Sequence, residues 1–181
     1  MGIKNLNRYL LDNCGEKSIH KINFSELNGK TLVIDTSIYL YKFAAEEALI
    51  ENMYLLISIL KYYKINPIFV FDGKPPDEKR DLLRKRRHLK KLAETKFNEI
   101  KNKEELDKND IKQLEILKRQ FIHISDKDIL CVKELMDNYG VKYYDAEGEA
   151  DQLCAYLLHS KQAWGCVSDD MDMFVYGCER S

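Results

Sequence analysis

Four short runs rich in β-branched and aromatic residues constrain the fold most: TLVID (31–35), PIFVFD (67–72), VKYYD (141–145) and AWGCVSD (163–169). They read as buried strands, and longer stretches with apolar residues at three- and four-residue spacing separate them. Strands alternating with helices predict an α/β fold, a largely parallel twisted sheet flanked by helices. The first connection (36–66) puts Leu49, Met53, Leu56 and Leu60 on one stripe, as one long helix or a broken pair. DKDILCVKELMDNYG (126–140) begins on an acidic capping candidate and stops at Gly140. A third helix opens near Gly148 and Glu149 and runs through Leu153, Tyr156 and Leu157.

Between Pro76 and Ser125 the chain is highly charged, sparsely apolar and without strand signal, which predicts helices that project from the sheet with a thin core of their own. The net charge of −1 hides a separation: residues 77–91 hold eight Lys/Arg against three Asp/Glu, and residues 145–172 hold seven Asp/Glu against one Lys. A length of 181 residues suits one domain bearing a projecting part. The five cysteines are odd in number, lack CxxC spacing and read as buried thiols in a reducing compartment. With no signal-peptide run and no bilayer-length apolar stretch, the expectation is a soluble, intracellular monomer.

The acids fall where the strands end. Asp35 closes the first run and Asp72 the second; Glu149 and Asp151 follow the third, Asp170 and Asp172 the fourth. In an open parallel sheet these ends share one rim, so carboxylates far apart in sequence converge. Crowded carboxylates destabilise a fold unless cations compensate them, and oxygen-only donors favour Mg²⁺ or Mn²⁺. Two ions about 4 Å apart would suit phosphodiester hydrolysis. On a regular helix Glu149 and Asp151 point about 200° apart, so they share a site only at a helix start or in extended chain. Asp170 and Asp172 meet that requirement in extended backbone. Asp145, Glu147 and Asp169 read as supporting or solvent-facing acids. A phosphatase with Asp35 as nucleophile needs a second Asp where Ser37 stands, and no GxxxxGK[ST] phosphate loop is present.

With MGIKNL, LVIDTSIYLYKF, FVFDGKPPDEK, DAEGEADQLCAYL and SDDMDMFVYG in family order, the chain resembles the flap endonuclease/XPG family of structure-specific 5′ nucleases. The resemblance implies a PIN-like 5′-nuclease fold with residues 77–125 as a helical gateway and cap, an arch for a single-stranded 5′ end. It implies metal ligands at Asp35, Asp72, Glu149, Asp151, Asp170 and Asp172, for two Mg²⁺ ions with Mn²⁺ able to substitute; Asp151 stands where the family usually has Glu. Lys79 and Arg86 match the basic residues on the scissile phosphate, and lie two helical turns apart. Tyr41 matches an aromatic that stacks on a base, although without the resemblance it reads as core. Gly2 is a further DNA contact on this reading, and Lys74 is either a further phosphate contact or part of the turn that Pro75 and Pro76 enforce. The substrate implied is DNA with a 5′ flap or a single-strand/double-strand junction, in the nucleus or at a cytosolic site of replication. The family pattern continues into a duplex-gripping helix-turn-helix element and a sliding-clamp peptide; a single nuclease core spanning 1–181 without them predicts low duplex affinity. It also leaves open a weak or inactive DNA-binding fragment.

Overall fold

The four runs form the strands of one sheet: β1 Thr31–Asp35, β2 Asn66–Phe71, β3 Lys142–Asp145 and β4 Gly165–Val167. The computed structural model describes residues 5–15, 18, 19, 21–74, 80–103, 107–169 and 172–180. The strand order is β3-β2-β1-β4 and every pairing is parallel, with Asp35 opposite Val70, Ile34 opposite Val167 and Phe71 opposite Asp145. The order reverses between β1 and β4, the place where an open parallel sheet leaves a crevice beyond its strand ends.

Alternation of side chains along each strand feeds two cores. Leu32, Ile34, Phe69 and Phe71 pack with residues of α2 (Thr36–Ala45), α3 (Leu49–Tyr62) and α6 (Asp126–Asn138). Val33, Ile68, Val70 and Cys166 pack on the other side with α7 (Ala150–His159) and with Met173 of α8 (Asp172–Val175). Ile34, Met53, Ile57, Phe69, Val70, Val132 and Met136 are fully buried, each contributing about 1.5–3 kcal/mol of hydrophobic stabilisation. A helix α1 (Leu6–Asn13) and a 3₁₀ turn (Phe24–Leu27) precede β1.

The first connection is the broken pair, α2 and α3, with Glu47 between them at φ 56°. α4 (Arg80–Lys101) and α5 (Lys108–Gln120) pack on each other, their thin interface holding the buried Ala93 and an edge-on Phe97–Phe121 pair 5.2 Å apart. Leu89, Leu92, Ile111 and Ile116 of this pair are exposed. Lys118 reaches Glu47 at 2.6 Å, and the Lys90 ammonium stands 5.4 Å from the centre of the Tyr41 ring. No described helix is long and apolar enough to cross a membrane. Cys154, Cys166 and Cys178 are buried as expected, whereas Cys14 and Cys131 are partly exposed.

One crossing fixes the loops that leave β2 and β3. The Gly73 N–H donates to the Gly148 carbonyl at 2.7 Å, and the Lys74 N–H to the Glu147 carbonyl at 3.3 Å. A Cβ on residue 73 would lie 1.9 Å from the Ala146 oxygen and 2.7 Å from the Glu147 oxygen, so only glycine lets the two backbones meet. The cap of α6 also departs from the acidic start expected. Ser125 is the N-cap and accepts from Asp128 N at 3.2 Å, while the Asp128 carboxylate accepts from Ser125 N at 2.8 Å. The serine hydroxyl also donates to that carboxylate at 2.7 Å, and these bonds hold the Asp128 carboxyl below the usual range.

Gly73→Ala is expected to cost about 3 kcal/mol or more, a melting-temperature fall of roughly 6–12 °C for a chain of this size. A fall smaller than the error of the melt would contradict the crossing. Ser125→Ala should cost about 1 kcal/mol at neutral pH. Because the Asp128 pKa is depressed by folding, its contribution is complete above about pH 4 and fades as the pH drops through the folded value. Melting curves of wild type and Ser125→Ala should therefore draw together below about pH 4.

Candidate active site

Asp35 ends β1 and caps α2: its carboxylate accepts from Ser37 N at 3.0 Å, and the residue is only 8% exposed. The same serine donates its hydroxyl to Asp72 Oδ2 at 2.6 Å. One residue, through its backbone N–H and its hydroxyl, thus links the carboxylates at the ends of two neighbouring strands. The other Asp72 oxygen, Oδ1, accepts from Ala150 N at 2.8 Å, at the first residue of α7. That bond brings Asp72 against Glu149, the N-cap of α7, and the Gly73 crossing leaves the loop little freedom to withdraw.

Glu149 is extended (φ −78°, ψ 143°) and Asp151 lies in the first helical turn, so the helix-start condition for the pair is met. Asp35 and Asp151 also act on a common neighbour. The Cys154 thiol is pushed far up by its hydrogen bond with Cys166, then by burial, then by the charges of Asp35 and Asp151. The Tyr39 hydroxyl is pushed up by burial first and then by Asp169 and Asp35, which brings the end of β4 to the same rim. Asp172 opens α8, a short helix rather than the extended chain expected, and buried Met173 anchors it on the α7 side of the sheet.

Asp170, Gly2 and Lys79 lie outside the described residues, and only the backbone of Arg86, on α4, is described. Among the described residues no group of three or more His, Cys, Asp or Glu side chains is disposed to hold a metal ion as it stands. Tyr41 is not core, contrary to its reading without the resemblance; it is 48% exposed on α2 beneath Lys90. Lys74 is exposed, with its backbone tied into the crossing. Asp145 faces solvent in an ion pair with Lys133 at 2.6 Å, and Glu147 and Asp169 are exposed. The roles of Ser37 and Gly73 escaped the sequence reading, although both sit inside segments it quoted, close beside the acids they organise.

The electrostatics are one-sided. The N-termini of α2 and α7 point at the rim, and each supplies about half a positive charge. Together they offset roughly one carboxylate, fewer than the two, Asp35 and Asp72, that Ser37 links at this rim. The donors are oxygens, suited to hard divalent cations. The thiols nearest in sequence, Cys154 and Cys166, are buried, and Cys154 is held protonated.

Residues 1–93 match the XPG N-terminal domain and residues 140–181 the XPG I-region. Flap endonuclease 1 of Cryptosporidium parvum (strain Iowa II) is 34% identical over 197 residues, covering 98% of this chain and 38% of its own length. Flap endonuclease 1 of Caenorhabditis elegans is 30% identical over 193 residues, covering 98% of this chain and 49% of its own length. The chain thus spans less than half the length of these relatives. Among solved structures, flap endonuclease-1 from Methanococcus jannaschii superposes with a TM-score of 0.56 at 28% identity, over 87% of this chain and 53% of that one. The catalytic core of Rad2 (complex I) superposes with a TM-score of 0.67 at 25% identity, over 98% of this chain and 45% of that one. The parallel sheet and its flanking helices are those of the PIN-like 5′-nuclease fold. On the matched sequence regions and relatives together, the chain belongs to the flap endonuclease/XPG family.

Proposed function

We propose that this chain is the nuclease core of a divalent-metal-dependent, structure-specific 5′ nuclease that hydrolyses DNA near a 5′ flap or 5′ end, in replication or repair. The observation that carries the reading is the hold of Ser37 on both Asp35 and Asp72, with Asp72 bound in turn to the start of α7. Two carboxylates and the start of a third segment are thereby held together at one rim. Asp35, Asp72, Glu149, Asp151, Asp170 and Asp172 are the residues that would hold Mg²⁺, with Mn²⁺ able to substitute. Bound there, the ions would supply positive charge to the attacking and leaving oxygens of a phosphodiester.

The chain's own residues do the rest. Carboxylates that serve as ligands leave no protein nucleophile to form a covalent intermediate. Lys79 and Arg86 would counter charge on the scissile phosphate. The exposed Tyr41 ring, with Lys90 above it, offers a face on which a base of any identity can stack. Lys74 would add a phosphate contact and Gly2 a further contact to the DNA. Residues 77–125 would form the gateway for single-stranded DNA; the thin interface and exposed apolar side chains of α4 and α5 support a part that meets a partner rather than the core.

The test is cleavage of a labelled 5′-flap duplex with Mg²⁺ or Mn²⁺. Cleavage should stop in EDTA and fall roughly 10²- to 10³-fold in Asp35→Asn and in Asp172→Asn, while flap binding persists in both. Equal cleavage by either variant, or cleavage indifferent to EDTA, would reject the assignment.

A further inference from the structure

The edge of the sheet opposite the acids is basic. Two adjoining open clefts, about 510 and 490 Å³, run along the strand N-termini and share Thr31 and Gln162. Lys30, Lys161 and Arg180 line one; Lys61, Lys64 and Lys142 line the other; among the described lining residues Glu179 is the one carboxylate. The ion pairs among the described residues, Arg8–Asp12, Arg84–Asp81, Lys103–Asp110, Lys118–Glu47 and Lys133–Asp145, involve none of the six cations. Of the acids on adjoining elements, Glu26 accepts from Asn23 N at 2.8 Å and Asp137 from the Tyr143 hydroxyl at 3.3 Å.

The backbone carries a second, independent signal. The four turns that deliver the strands to this edge each contain a residue at positive φ: Gly29 (74°), Lys64 (56°), Gly140 (60°) and Lys161 (59°). Glycine takes this conformation freely and a side chain is strained in it. Two of the four positions nevertheless carry lysine. Cations do complement helix C-termini, and α3, α6 and α7 end here. Each such end is worth about half a negative charge. Three ends and Glu179 together offset two to three of the six cations, leaving the edge positive by about three charges.

The cations are also held ready. Lys30 Nζ and Arg180 Cζ lie 5.5 and 5.1 Å from the centre of the Trp164 ring, and Lys142 Nζ lies 5.0 Å from that of Tyr144. Lys61 stands over the Tyr139 ring and donates to the Tyr139 carbonyl. Side chains already ordered lose less freedom on binding. Four strands at roughly 4.8 Å spacing make an edge of about 15 Å, longer than the reach of a single phosphate. A compact anion would occupy one cleft; a linear polyanion spans both.

We propose that this edge is a second nucleic-acid contact, binding the phosphate backbone of a DNA strand at the end of the sheet remote from the acids. The proposal goes beyond the nuclease reading and does not require it. The test is fluorescence anisotropy of a short labelled single-stranded oligonucleotide in EDTA over a salt series, comparing wild type with the triple variant Lys64→Gly, Lys142→Gln, Lys161→Gly. Glycine relieves the positive φ at two of these positions, so the triple variant should melt no lower than wild type. Its affinity near 100 mM salt is expected to fall about tenfold or more, and its slope of log K against log salt to shallow by about two units. Unchanged affinity and slope in the folded variant would overturn the proposal. So would phosphatidylserine vesicles that bind wild type and lose the variant while oligonucleotide binding stays put. Cleavage is not read here, so failure of this contact leaves the nuclease assignment standing, and the reverse holds too.

Discussion

Asp72 ties together three parts of the chain that are distant in sequence, and the geometry of the acidic rim depends on it. One of its oxygens takes the Ser37 hydroxyl and the other the first N–H of α7. Both are charge-assisted hydrogen bonds, about twice as strong as neutral ones. The Gly73 crossing makes the arrangement stiff, because the loop behind Asp72 is pressed directly on the backbone of the loop before Glu149. A carboxylate so fixed cannot relax away from Asp35 when the two repel. Protonation or positive charge nearby relieves such repulsion, and the helix ends supply about one unit of positive charge.

Much of this was legible in the residues because buried parallel strands announce themselves. TLVID and PIFVFD match β1 and β2 to within a residue, and the acids at their ends follow from chain direction alone. The fourth run overreached: pairing with β1 spans only Gly165–Val167, after which the chain turns toward α8. What could not be read depends on which elements become neighbours. Ser37 matters only because β1 and β2 are adjacent, and Gly73 only because the β2 and β3 exits cross. The break between α2 and α3 carries no Gly or Pro; a glutamate at positive φ, paired to Lys118, makes it. Tyr41 looked apolar in pattern, yet its ring faces outward under a lysine from α4. At α6 both serine and aspartate are good caps, and only the reciprocal bonds between positions 125 and 128 decide which one caps and which one answers.

The basic edge was illegible for a related reason. Its six cations come from the end of α3, the turns before β1, β2 and β4, the first residue of β3 and residue 180, and no run of sequence holds more than two of them close together. A chain of net charge −1 therefore gave no hint of it.

Seen along the strands, the molecule is a charge dipole laid over a parallel sheet. Parallel topology sends helix N-termini to the strand C-terminal rim and helix C-termini to the opposite edge, so acids suit one end and lysines the other. The side chains exceed that requirement at both ends, and in opposite senses. A bare phosphodiester would be repelled at the acidic rim, and the fold answers with the cations of α4, of which Lys90 stands over Tyr41, six residues beyond Asp35 on α2. Six residues of helix rise about 9 Å, so the ring beneath this cation sits less than two helical turns along α2 from Asp35. On the proposed reading, attraction from α4 brings the phosphate backbone near, and bound divalent charge at the carboxylates decides whether it can come close enough to react.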